Sequence, residues 1–159
     1  MTWWKHFKPS ACNHRLQAES KDHALELIIE NMTKAKVLVP ELSESANKAL
    51  LAREELATTG VGRGVAIPHV KLAGLSSVAC SIVVLDEPLD WAAVDGDPVD
   101  IVITILRPDS FTDDFDPDQH IKMMQWVAGL AREGDFCSFA RRVDKKSTLV
   151  DLLKEHAHV

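Results

Sequence analysis

The run Val99–Leu106 is almost continuously apolar. Its length and its Val and Ile content are typical of a β-strand, and successive side chains of a strand point to opposite faces of the sheet. A strand that is apolar at successive positions is therefore buried on both faces. Ser77–Leu85 is a second strand of similar composition, and Asp90, Trp91 and Val94 are predicted to add a short edge element. We predict an α/β fold with a mixed central β-sheet and helices packed on both of its faces.

Helical patterns in the rest of the chain supply the two outer layers. Ser20 is the predicted N-cap of a first helix, and Ser43 opens a second. Asp116 as N-cap and Pro117 at the first helical position predict a third helix, which continues to Gly134. Its predicted apolar face contains Ile121, Met124, Val127, Ala128 and Ala131, and further helices are predicted around Phe136–Arg142 and Thr148–His156.

Composition narrows the class of protein. A chain of 159 residues that is 46% hydrophobic fits one domain, which we place over residues 1–159 with a core of about residues 8–156. The formal charge of −6 argues against a broad nucleic-acid surface, and no run approaches the ~18 apolar residues of a membrane span. Three widely spaced cysteines favour a reducing compartment over a disulfide framework. We expect a cytoplasmic protein with no nucleic-acid partner and no membrane insertion.

A glycine-rich stretch connects the second predicted helix to the sheet. Glycine accepts the positive φ angles that let successive backbone N–H groups converge on an anion. Phosphate is the expected anion. The predicted cradle is formed by Gly60, Gly62 and Gly64, with Thr59 and Arg63 beside them.

The same stretch ends in Pro68-His69. Pro68 favours an extended residue before it, so Val65–Ile67 is predicted to be a strand that ends where His69 begins. A buried histidine bonded to a backbone carbonyl is the structural alternative for His69. A neutral imidazole is also a competent nucleophile towards a phosphoryl group, and His120 lies in the first turn of the third predicted helix, whose N-terminus favours anions. This chemistry requires no metal and no cofactor.

The residues that carry these signals resemble a known family. Arg53-Glu54, Thr59-Gly60, the run Gly64–His69 and His120 together resemble the fructose/mannitol-type (type 2) enzyme IIA domain of the bacterial phosphoenolpyruvate-dependent sugar phosphotransferase system. The resemblance spans most of the chain, and Ala-Ile-Pro-His is its most specific part. The overall layout is most similar to the standalone nitrogen-regulatory members.

The resemblance implies a role for each matching residue. His69 is implied as the phosphoacceptor, which takes the phosphoryl group from a histidine-containing phosphocarrier protein and passes it to an enzyme IIB domain. Arg53 is implied to stabilise the phosphate charge, although pairing with Glu54 is the structural alternative. His120 is implied as the second active-site histidine. Thr59 and the backbone of Gly60–Gly64 are implied to shape the pocket.

Two residues depart from the family pattern. The family usually has Asn or another small polar residue at the position of Arg63, and usually Gly at the position of Val70. Arg63 is either an added phosphate ligand or a solvated loop residue. Val70 removes backbone freedom next to the predicted phosphoacceptor, which predicts a stiffer loop or an altered docking surface.

Metal binding is not expected. The spacing of Asp114, Asp116 and Asp118 resembles the start of a calcium loop, but Gln119 and Gln125 stand where such a loop needs Gly and Glu. The cysteines and terminal histidines lack the spacing of a structural zinc site.

The N-terminal pair Trp3-Trp4 is expected to pack on the body of the domain. A contact between copies of the chain, or with a partner, stays open as the alternative.

Three functions follow as hypotheses. The favoured one is a phosphocarrier that acts in nitrogen-type regulation and contacts regulatory target proteins. The second is the enzyme IIA component of a fructose- or mannitol-type sugar uptake system. The third is a non-catalytic protein-binding module that retains the pocket.

Overall fold

A mixed β-sheet forms the centre of the computed structural model, which describes residues 2–157. The strands lie in the order β1-β5-β6-β3-β2, and β4 also pairs with β6. β6 is antiparallel to β5 and parallel to both β3 and β4, so the mixed sheet is confirmed. The strands are β1 (Asn13–Leu16), β2 (Gly60–Gly62), β3 (Val65–Ala66), β4 (His69–Leu72), β5 (Ala79–Leu89) and β6 (Val99–Pro108).

Within residues 2–157, five α-helices and three short 3₁₀ turns complete the fold. The Ser20 hydroxyl accepts from the His23 N–H at 3.1 Å, and the Asp116 carboxylate accepts from the Asp118 N–H at 2.9 Å, so both predicted N-caps are confirmed. The helices are α1 (Lys21–Lys34), α2 (Ser43–Leu56), α3 (Pro117–Arg132), α4 (Gly134–Ala140) and α5 (Lys146–Glu155), and the turns cover Trp3–His6, Pro9–Ala11 and Pro40–Leu42.

Strand β6 separates two hydrophobic cores. Ile101, Ile103 and Ile105 are fully buried beneath α3, α4 and α5, whereas Val102 and Leu106 are fully buried beneath α1 and α2. Each such side chain contributes roughly 1.5–3 kcal/mol when it leaves water. The prediction of helices on both faces is therefore confirmed, and the continuous apolar run has this double burial as its cause.

The strand that carries His69 is interrupted rather than ended. Val65 lies opposite Ile101 and His69 lies opposite Ile105, so β3 and β4 follow β6 with the same offset on both sides of the break. Pro68 has no N–H to donate, but its carbonyl still accepts from the Ile105 N–H at 2.9 Å. The predicted strand before His69 is present as β3 and ends at Ala66, but a second strand that was not predicted, β4, begins at His69, because proline removes one donor from the ladder without stopping the pairing with β6.

Two further details differ from the sequence predictions. Residues 90–98 form no edge strand, because the indole of Trp91 is fully buried in the core under α1 and α2. In α3 the buried face begins at His120 and includes Met123, Trp126 and Val127, whereas Ile121 is 59% exposed. Helix α3 is apolar around much of its circumference, so its periodicity alone did not select the buried face.

The three cysteines are buried free thiols. Trp3 packs against Trp126 with ring centroids 6.0 Å apart, as predicted for the N-terminal tryptophans. Of the helices formed by residues 2–157, none combines the length and apolarity that crossing a membrane takes.

Candidate functional site

Two histidine rings meet at the C-terminal end of β6. His69 opens β4, and its pairing with Ile105 directs its side chain to the face covered by α3. His120 lies in the first turn of α3 and is 7% exposed. Nε2 of His69 lies 3.1 Å from Nε2 of His120, which is hydrogen-bond distance. The two histidines selected from the sequence are thus in direct contact.

Both rings are neutral near pH 7. Burial, reinforced by the charges of His69 and Arg107, lowers the pKa of His120 to about 4. Burial also lowers the pKa of His69, and the charges of Arg107, Arg53 and Lys71 reinforce that shift. A neutral His69 ring keeps a lone pair on one nitrogen, which a nucleophile requires.

The surroundings of His120 select one pair of tautomers. Its Nδ1 is buried and has no hydrogen-bond partner among residues 2–157. A proton at that position would be a buried donor without an acceptor, so we assign the proton of His120 to Nε2. That N–H then donates to Nε2 of His69, whose own proton is on Nδ1. Nε2 of His69 therefore carries the lone pair, and His120 points a donor at it.

An open groove of about 530 Å³ runs past the histidine pair. Its floor is the outer apolar face of α3, including Ile121, Met124 and Ala128, which explains why the sequence pattern assigned these residues to an apolar face. Arg107 lines the groove together with both histidines. Arg107 follows directly after the apolar run Val99–Leu106, and no local sequence signal marks it as a site residue.

Arg53 is near His69 but does not line the groove. Its Nη1 donates to the Ala57 carbonyl at 2.7 Å, at the C-terminal end of α2. Its positive charge lowers the pKa of His69, so the guanidinium acts on the site through its field. The alternative in which Arg53 pairs with Glu54 does not hold, because Glu54 is buried and bonded to other groups.

The hydroxyl of Thr59 is buried and bonded to protein groups. It donates to the buried Glu54 carboxylate and accepts from the Trp91 indole N–H at 3.1 Å. Glu54 also accepts from the Lys21 ammonium at 3.1 Å. The carbonyl of Thr59 accepts from the Ile67 N–H at 2.9 Å, immediately before Pro68-His69. Thr59 therefore supports the backbone that carries His69, and we leave it out of the phosphate site.

The predicted glycine cradle is corrected. Gly62, Arg63 and Gly64 all have positive φ, but they form the turn between β2 and β3. The N–H of Arg63 is bonded to the Asp95 carboxylate at 2.9 Å. Val65, next to this turn, pairs with Ile101, whereas His69 pairs with Ile105, four residues further along β6. At about 3.3 Å per residue, the end of the turn is therefore roughly 13 Å from His69.

The side chain of Arg63 is also occupied. Its Nη1 donates to the Arg132 carbonyl at 2.9 Å, at the end of α3. The backbone carbonyl of Arg63 accepts from the Arg141 guanidinium at 2.9 Å. The remaining glycine of the predicted cradle, Gly60, lies close to another segment of the chain, because a Cβ there would be 2.7 Å from Cβ of Ala93. Arg63 is exposed, so of the two alternatives the structure agrees with the solvated loop side chain, which also bonds to the end of α3.

Val70 is 9% exposed and packs in the core beneath α1 and α2.

Among residues 2–157, no three His, Cys, Asp or Glu side chains are grouped so that they could hold a metal ion.

Comparison with known proteins places the chain in a family. The chain is 37% identical over 133 residues to the nitrogen regulatory protein of Bradyrhizobium diazoefficiens, covering 84% of this chain and 82% of that protein. It resembles the crystal structure of nitrogen regulatory protein IIA-Ntr from Neisseria meningitidis with a TM-score of 0.82, at 23% identity, covering 94% of this chain and 97% of that one.

The fold is also similar to that of enzyme IIAMTL from Escherichia coli, whose structure was determined in complex with phosphorylated enzyme IIBMTL. The TM-score is 0.69 at 18% identity, covering 94% of this chain and 99% of that one. Residues 5–156 match the family described as phosphoenolpyruvate-dependent sugar phosphotransferase system, EIIA 2. The chain therefore belongs to the type 2 enzyme IIA family of that phosphotransferase system.

Proposed function

We propose that the chain is a phosphocarrier whose acceptor atom is Nε2 of His69, and that its phosphorylation state serves nitrogen-type regulation in the cytoplasm. The observation that carries the proposal is the 3.1 Å contact between Nε2 of His69 and Nε2 of His120. It joins a nucleophile to a donor that can bond to the oxygens of the arriving phosphoryl group. The proposed phosphate donor is a histidine-containing phosphocarrier protein.

The transfer step balances without an external acid or base. The Nε2 lone pair of His69 forms a P–N bond while the P–N bond of the donor phosphohistidine breaks, and that bonding pair returns to the donor nitrogen. A donor ring with a proton on its other nitrogen leaves as neutral imidazole. His69 keeps its proton on Nδ1, so its ring takes over the positive charge that the donor ring gives up.

His120 has a positioning and stabilising role in this step. Two nitrogens 3.1 Å apart leave no space for phosphorus between them, so the phosphoryl group enters from the groove and the rings move apart. The N–H of His120 then donates to a phosphoryl oxygen instead of to His69. The positive N-terminus of α3 favours the same anion.

Regulation is the favoured use of this chemistry because the relatives described above are named nitrogen regulatory proteins. The phosphoryl group carries about −1.5 to −2 charges, of which the positive charge taken up by the His69 ring offsets about one. The loop between β6 and α3 lies beside the site and exposes 73% of Phe111. A partner that contacts this loop therefore meets a different charge in each state. Delivery of phosphate to an enzyme IIB domain of a sugar uptake system is the second candidate.

Phosphotransfer to His69 can be tested directly. The chain is incubated with phosphoenolpyruvate, enzyme I and the phosphocarrier protein, and we expect an acid-labile phosphoryl group on His69. His69→Ala should abolish it. His23→Ala is the matched control, because His23 lies in α1 on the other face of the sheet. Undiminished labelling of His69→Ala would refute the assignment.

A second experiment separates the physiological roles. Phosphorylated and unphosphorylated chains are used to capture partners from a lysate of the source organism. A regulator should retain proteins outside sugar transport in one state only, whereas a transport component should transfer its label to an enzyme IIB domain. Stable binding without any transfer would instead support the non-catalytic module.

A further inference from the structure

We propose that Arg107 is a direct ligand of the phosphoryl group on His69, and the main cationic one on the groove side. This inference rests on the proposed function and extends it by a residue that the sequence motif does not contain. It assigns the charge-stabilising contact to Arg107 at the end of β6, whereas the resemblance implied Arg53 in α2 for that contact.

Strand register places Arg107 beside His69. β4 and β6 are parallel, with His69 opposite Ile105 and Lys71 opposite Arg107. Residues two apart on a strand point to the same face, so all four side chains lie on the face covered by α3. Arg107 is thus a diagonal neighbour of His69, within reach of a long side chain. It lines the groove from which the phosphoryl group enters.

The guanidinium of Arg107 is held in place without using its N–H groups. It lies over the ring of Phe115, 5.2 Å from the centroid, and Phe115 in turn packs on His120 with centroids 5.4 Å apart. Among residues 2–157, no carboxylate lies within 4.0 Å of Arg107 and none of its side-chain N–H groups makes a hydrogen bond. Its planar set of donors is therefore available to the equatorial phosphoryl oxygens.

The other nearby cations do not have this arrangement. Arg53 donates to the Ala57 carbonyl and is absent from the groove lining. Lys71 is on the correct face but is exposed and also outside the lining. A cation that touches the phosphoryl oxygens stabilises the charge that spreads over them as the P–N bond to the donor breaks and the P–N bond to His69 forms.

Three variants test the proposal. Arg107→Gln should slow phosphotransfer to His69 about ten- to a hundredfold, the range expected for losing one charge-assisted contact. Arg107→Lys keeps a charge and the contact with Phe115 but loses the planar fork, so it should recover part of the rate. Lys71→Gln is the matched control, because it removes a neighbouring charge outside the groove, and it should stay within about twofold. Thermal unfolding verifies that each variant is folded.

A second readout separates contact from a field effect. A direct contact lowers the pKa at which the phosphoryl group itself titrates, so the ³¹P signal of phosphorylated Arg107→Gln should titrate at higher pH than that of the wild type, with Lys71→Gln unchanged. The rate of phosphotransfer is also measured at pH 8.5, where His69 is neutral in every variant. An effect of Arg107 that acts only through the pKa of His69 disappears at this pH. A direct contact does not, so Arg107→Gln should still transfer phosphate more slowly than the wild type.

The outcomes distinguish the two proposals. No label on wild-type His69 overturns the proposed function and this inference with it. If wild-type His69 is labelled normally, two results overturn the role of Arg107 alone. One is an Arg107→Gln variant that transfers phosphate at the wild-type rate. The other is an Arg107→Gln variant whose loss of rate is no larger than that of Lys71→Gln.

Discussion

Replacing His120 with Gln removes one titrating group from the buried side of the histidine pair while keeping a neutral amide near the position of Nε2. Burial, reinforced by the charges of His69 and Arg107, lowers the pKa of His120 from 6.5 to about 4. Between these values the unfolded chain binds a proton that the folded chain does not. The free energy of unfolding therefore has its full contribution from His120 above pH 6.5 and loses it as the pH falls. Gln binds no proton, so the free energy of unfolding of the variant does not decrease with falling pH for this reason.

The expected size follows from the two pKa values. With 6.5 for the unfolded chain and about 4 for the folded chain, the wild type should lose about 2 kcal/mol relative to His120→Gln between pH 7.5 and 5, and about 3 kcal/mol by pH 4. His69 and Arg107 face His120, and Asp116 caps the same helical turn. All three remain in the variant, so their own titration largely cancels in the comparison.

The measurement is urea unfolding of both proteins at pH 7.5, 6 and 5 and constant ionic strength, followed by tryptophan fluorescence. The constant cost of losing the imidazole also cancels, because only the change of the difference with pH is used. A difference between the two proteins that is the same at pH 7.5 and at pH 5 would show that His120 titrates normally in the folded chain. In that case the account of a desolvated, neutral His120 fails.

Three more outcomes are expected. Glu54→Ala should reduce the free energy of unfolding by about 3 kcal/mol, because it leaves a partly buried lysine ammonium without its partner, and urea unfolding at pH 7 measures this. Gly60→Ala should cost about 1–3 kcal/mol in the same assay, because the new Cβ would lie 2.7 Å from Cβ of Ala93, whereas the control Gly134→Ala, with no atom within 4 Å, should cost nothing. The rate of phosphotransfer to His69 should rise with pH with a midpoint below 6.5, because burial lowers the pKa of its ring, and a midpoint above 6.5 would contradict that cause.

Much of the fold and the centre of the site follow from local sequence signals. The double burial of β6 follows from its unbroken apolar run, and the start of α3 at Asp116-Pro117 follows from cap chemistry. His69 and His120 could be selected because the residue after proline in a strand context and a residue in the first turn of a helix are both fixed by short-range rules.

The remainder depends on pairings between distant parts of the chain. Positive φ at Gly62, Arg63 and Gly64 serves an anion cradle and a hairpin turn equally well, and only the position of Asp95 decides where the Arg63 N–H is bonded. Arg107 becomes a neighbour of His69 only through the parallel register of β4 on β6. Local patterns hold no information about either pairing.

The unbroken register across Ile67-Pro68 makes the length of this dipeptide as important as its chemistry. Side chains alternate between faces, so an insertion or deletion of one residue would turn the imidazole of His69 away from α3 and into the core beneath α1 and α2. A change of residue type at position 67 leaves the imidazole on its own side. We therefore expect this segment to tolerate substitution far better than a one-residue change in length, since the parity of the residue count decides which side of the sheet presents the nucleophile.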